Sequence, residues 1–164
     1  DGGTLRAALD RLRDTDGEAA MESLRATLAE GDHALAAAVA AAQARLDAGD
    51  TAAGLAALRV LVDEHPGYAD LLALLGSHEL RAGQVDDGIE TLAQALGVNP
   101  GFHAARLELA RGLEAVGERE RALAEVRAVL AIEPRDPAAQ VLAERLSGRR
   151  TVTGHGSKVA SGRS

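Results

Sequence analysis

The sequence predicts an all-α chain of paired helices repeating every 34 residues, and three observations carry that reading. Alanine and leucine dominate its 164 residues and arginine and glutamate are frequent, with one Phe, one Tyr and no Trp. Strong helix formers are therefore abundant, and the β-branched and aromatic strand formers are scarce. Pro66, Pro100 and Pro134 stand 34 residues apart, and so do Gly49, Gly83 and Gly117. The lone aromatics, Tyr68 and Phe102, keep the same interval. A fixed period of this length marks stacked supersecondary units rather than one closed core. With so little aromatic bulk, that core has to be Leu, Val, Ile and Ala, packed where small residues let helix backbones approach.

Laid out at this period, the chain divides into units 1–34, 35–68, 69–102 and 103–136. The eighth place of each unit is small (Ala8, Ala42, Gly76, Ala110), and so is the twentieth (Ala20, Gly54, Gly88, Ala122). The twenty-first is apolar throughout: Met21, Leu55, Ile89 and Leu123. The twenty-fourth carries Leu24, Leu58, Leu92 and Val126, and the twenty-eighth Leu28, Val62, Leu96 and Leu130. Within a unit, one apolar stretch of helical period ends at Gly, and a second begins and ends at Pro.

Unit 1–34 is the least regular, with Thr15 in place of the glycine and Asp32 in place of the proline. In unit 35–68, Asp50 follows Gly49 where the second helix needs an N-cap. Gly54 and Gly88 lie inside second helices, where glycine costs about 1 kcal/mol against alanine. A close crossing of the paired helices at that place is the reason to tolerate the cost. Unit 69–102 is the most regular, and unit 103–136 repeats it with Leu109, Ala110, Leu113, Gly117 and Pro134. Residues 137–147 then read as one more amphipathic helix, with Ala138, Val141, Leu142 and Leu146 on one face. Such a helix would cover the last apolar face of the stack. From Gly148 to Ser164, Gly, Ser, Thr and Arg prevail without periodicity, which reads as a flexible tail or linker.

This pattern resembles the tetratricopeptide repeat family, whose 34-residue helix–turn–helix unit has small residues at places eight and twenty and a proline near thirty-two. The resemblance spans residues 1–136 and implies a right-handed superhelical solenoid of about four antiparallel helix pairs, closed by the capping helix 137–147. Two departures concern the first helices. The large residue usual at the fourth place is Thr4, Ala38 and Arg106 here, with only Leu72 conforming. The eleventh place holds Arg11, Arg45 and Glu79, while Leu12, Leu46 and Leu80 stand beside it. Those leucines are expected to pack against neighbouring first helices.

The resemblance also implies a concave groove lined by the first helices. Carried onto this chain, its residues are Leu5, Leu9, Arg13, Val39, Gln43, Asp70, Ala73, Ser77, Arg81, Leu107, Arg111 and Glu114. An apolar strip edged by charges suits an amphipathic helix or an extended peptide. Arg13, Arg81 and Arg111 have the geometry to take a carboxylate bidentately, or they pair on the surface with Asp47, Asp70 or Glu114. Chaperone-binding members of the family use a Lys- and Asn-rich clamp. Here Lys158 in the tail is the only lysine and Asn99 the only asparagine, which argues against that role. Tyr68 and Phe102 close their units just before a first helix, where an aromatic packs across the turn like a hydrophobic staple.

Charge and composition bound the function from the other side. The net charge is −7; of 18 basic residues four lie in the tail, leaving 14 against 25 acidic residues up to Ser147, or −11. An acidic body argues against nucleic acid, whose phosphates need clustered Lys and Arg. No apolar run approaches the roughly 18 residues of a membrane span, and no leader pattern is present, which favours the cytoplasm. The absence of cysteine excludes disulfides and thiolate chemistry. His33, His65, His78 and His103 fall in different elements without ligand spacing, so no metal or other cofactor is expected. Ser77-His78 are helix neighbours that do not face each other. Gly154-His155-Gly156-Ser157-Lys158 lacks the strand, residue order and helix of a phosphate loop. The expectation is a non-enzymatic scaffold or adaptor that binds a peptide or partner protein. A self-assembling array, with homo-oligomers, is the alternative. So is a regulatory or targeting appendage of a larger enzyme, suggested by the start at Asp1 without a methionine.

Overall fold

A computed structural model describes residues 17–148, with side chains from residue 31 onward. Among the described residues there are seven α-helices and no strand. They are α1 (Gly17–Asp47), α2 (Thr51–Glu64), α3 (Ala69–Arg81), α4 (Val85–Val98), α5 (His103–Ala115), α6 (Arg119–Ile132) and α7 (Pro137–Ser147). The chain divides into two compact units, Asp1–Pro66 and Gly67–Ser164.

In the first unit α1 packs on α2. The break expected between units 1–34 and 35–68 does not occur, because α1 runs through it for 31 residues. Asp32 has the backbone N–H that a proline would lack, and Gly31 alone costs only about 1 kcal/mol in a run of alanines. The helix stops instead at Gly49, with φ at +84°. There Gly49 N–H donates to Leu46 O at 3.0 Å and Asp50 N–H to Arg45 O at 2.9 Å, the paired bonds of a Schellman ending. Asp50 then caps α2, its carboxylate accepting from Ala53 N–H at 3.2 Å. Ala42, Leu55, Leu58 and Leu61 are buried. A Cβ added to Gly54 would lie 2.5 Å from Leu46 Cγ, so this glycine makes room for the leucine.

In the second unit each helix packs on the next, and α5 also touches both α3 and α7. The result is two layers, α3, α5 and α7 in one and α4 and α6 in the other. Helix starts recur at the sequence period, at residues 51, 85 and 119 for α2, α4 and α6, and at 69, 103 and 137 for α3, α5 and α7. Gly83 and Gly117 end α3 and α5 in the left-handed region, at φ +81° and +85°, with the same pair of bonds as at Gly49. Gly76 and Gly88 meet where α3 crosses α4. A Cβ on Gly88 would lie 2.9 Å from Gly76 O and 2.8 Å from Leu80 Cγ. The same places in α5 and α6 hold fully buried Ala110 and Ala122.

The first-helix departures have polar explanations. Arg106 donates to Glu125 Oε2 at 2.6 Å and to Pro100 O at 2.8 Å, tying α5 to α6 and to the preceding turn. Glu79, only 2% exposed, accepts from Thr91 Oγ1 at 2.8 Å across the α3–α4 contact. Leu46 and Leu80 are half-buried against Gly54, and against Gly88 and Gly112, respectively; Leu12 lies outside the described residues.

Helix α7 differs from expectation in its face. Asp136 accepts from Ala139 N–H at 2.6 Å, and Pro137 occupies the first turn. The buried stripe is Ala139, Leu142 and Leu146; Ala138 is exposed, and Val141 is 65% exposed. Ala139 lies three residues before Leu142 and shares its face, whereas Val141, one residue before, is turned away by about 100°. Arg119 Nε donates to Leu146 O, placing a cation at the C-terminal end of α7. The tail from residue 149, including the Gly154–Lys158 run, lies outside the described residues.

Candidate binding cleft

The twelve expected groove residues separate into groups. Leu5, Leu9 and Arg13 lie outside the described residues. Val39, half-buried, and Gln43, exposed, are on α1 in the first unit. In the second unit Asp70 is exposed in the first turn of α3, where an acidic side chain suits the helix dipole. Ala73 and Leu107 are 8% and 7% exposed, so they contribute packing rather than free surface. Glu114 pairs with Arg145 at 2.5 Å, joining α5 to α7. That leaves Ser77, Arg81 and Arg111, and these three converge.

They line a cleft of about 370 Å³ together with Leu80, Val85, Glu108, Gly112 and Ala115. Ser77, Leu80 and Arg81 come from the last turns of α3, Val85 from the start of α4, and the rest from α5. On α5 the spacing 108, 111, 112, 115 is one helical stripe. Leu80 forms part of the wall while its methyl groups face Gly88 and Gly112. A Cβ on Gly112 would come within 3.0 Å of Leu80 Cδ2 and 2.9 Å of Ile89 Cγ1, so Leu80 packs closely over this glycine. The rim carries two guanidinium groups and one carboxylate. Arg111 is paired with Glu108, one turn before it. Arg81 is exposed and, among the described residues, makes no ion pair.

Sequence reasoning missed Val85, Glu108, Gly112 and Ala115. The α5 members were within reach, since they sit three or four residues from Arg111 on one face. Val85 was not, because its position depends on how sharply Gly83 turns the chain into α4. Tyr68 and Phe102 occupy the N-cap positions of α3 and α5, without side-chain capping bonds. Tyr68 is 47% exposed and Phe102 half-buried. Among the described residues no three His, Asp or Glu side chains are grouped to hold a metal ion. No described helix is long and apolar enough to cross a membrane.

Residues 79–146 match the family model described as Tetratricopeptide repeat. Among curated proteins none matches the chain significantly. Solved structures do. The first tetratricopeptide repeat domain of Spaghetti (RPAP3), bound to an HSP90 peptide, superposes with a TM-score of 0.65 at 16% identity, over 70% of this chain and 90% of that one. The second such domain of human RPAP3, in complex with an HSP70 peptide, gives 0.65 at 15% identity, over 70% and 97%. The Yersinia enterocolitica type III secretion chaperone SycD, in complex with a peptide of the translocator YopD, gives 0.61 at 16% identity, over 71% and 88%.

Proposed function

We infer from the chain's membership of the tetratricopeptide repeat family that it is a protein-interaction scaffold, holding a peptide or a segment of a partner protein along the layer of α3 and α5. One observation carries this reading: three residues expected on a binding groove, Ser77, Arg81 and Arg111, share one cleft with an apolar wall. A concave, largely apolar surface with a few polar groups at its rim is the usual make-up of a binding site. Several solved relatives hold peptides, which supports the same use of the fold here. The chain acts by binding, not catalysis; its groove includes Asp70 and Glu114 at the margins, and Val39 and Gln43 on α1 belong to the same series of first-helix positions.

The test fills the cleft without touching the core. Ser77 is half-buried and Ala115 exposed, so Ser77→Trp with Ala115→Trp should leave the circular dichroism spectrum unchanged. Affinity capture with the native chain, analysed by mass spectrometry, should return partners that the double variant loses. Capture of the same proteins by both baits would sink the assignment.

A further inference from the structure

The end of the stack holds an occupant that belongs to the chain itself. We propose that α7 is a displaceable plug in a second binding groove, formed by α5 and α6, and that an amphipathic helix of a partner protein takes its place. This groove is separate from the cleft between α3 and α5 and stands without it.

Helix α7 is the most weakly held of the second unit. It is 11 residues long, about 16 Å. It buries three residues, Ala139, Leu142 and Leu146, where α3 and α5 bury six each. It packs on α6 and α5 and on no other described helix, and on its outer side Val141 is 65% exposed. Being last, it can leave without separating any other pair of helices. A helix of this length is marginal alone in water, so once undocked it frays. Residues 133–136, between α6 and α7, are then the hinge. Its polar ties are equally easy to exchange. Exposed Arg145 reaches Glu114 at 2.5 Å, and Arg119 donates from α6 to Leu146 O. The second tie goes to a backbone carbonyl in a last turn, which any helix in the same seat presents.

What the groove accepts can be read from the period. Leu146 holds in α7 the place that Gly112 holds in α5, 34 residues earlier. Leu80 and Ile89 crowd Gly112 so closely that a Cβ would not fit. One period on, those two places are Glu114 and Leu123. Glu114 turns to Arg145 instead of filling the gap as Leu80 does, and that leaves room for a leucine. The groove therefore selects a helix with a small residue, leucines three and seven residues further on, and a basic residue just before the second leucine. Those positions share one face of a helix, as an amphipathic segment laid in a groove requires. In α7 they are Ala139, Leu142, Leu146 and Arg145.

A fluorescein-labelled peptide of residues 133–148, offered to the full chain, tests this. Leu142→Asp with Leu146→Asp in the full chain should empty the groove and leave its walls intact. By fluorescence polarisation this variant should bind the peptide about tenfold or more tightly than the native chain, whose tethered α7 competes at high effective concentration. A peptide that keeps the four selected residues and replaces the rest by Ala, Glu and Gln should bind as well. Amide hydrogen exchange in the native chain should be faster in α7 than in α3 to α6. Should the double variant fail to fold, Leu146→Ala decides, with a smaller gain expected and an unchanged affinity overturning the proposal. Equal binding to the native chain and the double variant, binding to neither, or α7 amides as protected as those of α5 overturns it too. Dimers that exchange α7 between copies, seen on sedimentation of the native chain, would give the groove to a second copy and overturn the partner-helix assignment.

Discussion

Single glycines separate packing from backbone conformation in this chain. Gly88 sits where a Cβ would meet both a side chain and the backbone oxygen of Gly76. Only part of that obstacle can move aside. Gly88→Leu should therefore lower stability by about 1–3 kcal/mol through overpacking, read as a shift in the urea midpoint; an unmoved midpoint would contradict the close crossing of α3 and α4. Gly83 is the converse case, since a Cβ there meets nothing within 4 Å but φ is +81°. Gly83→Ala should still destabilise, by about 1–2 kcal/mol, for backbone reasons alone. Native-like stability in that variant would show that the turn can relax. Both glycines were legible in the sequence, because one recurs at a small-residue place and the other at the end of an apolar stretch. Glu79 was not. Its burial at 2% depends on Thr91 facing it from α4, and no periodic argument within a single helix contains that partner.

Individual helices were readable wherever a local signal fixed both ends. Asp50 caps as its position suggested, accepting from the N–H three residues on, and Asp136 does the same at the start of α7. The helices α3 to α6 stop where Gly or Pro dictates. Reading failed where a break was carried over by analogy without its breaking residue. Between residues 31 and 34 the chain has Gly-Asp-His-Ala and no proline, and α1 continues. Gly31 is then an ordinary helix-interior glycine with open space around it. Gly31→Ala should accordingly raise stability by about 0.5–1 kcal/mol and increase the helical signal at 222 nm. A decrease would mean that the chain turns there after all. The cleft was half legible for a related reason. Arg81 and Arg111 follow from the expected register, but their convergence depends on the angle between α3 and α5, which is set by the size of Gly112 and Leu80 rather than by either helix alone.

At the scale of the chain, α3 to α7 form contacts with one another in sequence order, with only next-but-one additions. Stability in such an array is close to a sum of local terms. Residues 67–164, produced alone, should fold and unfold cooperatively by circular dichroism, and a featureless melt would show that the unit depends on what precedes it. The junctions at Gly49, Gly83 and Gly117 share one geometry and one spacing, and that has a genetic consequence. A tandem duplication of the segment encoding residues 69–102 would write Ala69 directly after Phe102, where His103 now follows the same aromatic. Every helix would keep its own start and stop signals. Copying errors of one whole period are thus changes of length that this chain can absorb without a new turn having to evolve, whereas an insertion of any other size has to be accommodated by an existing one.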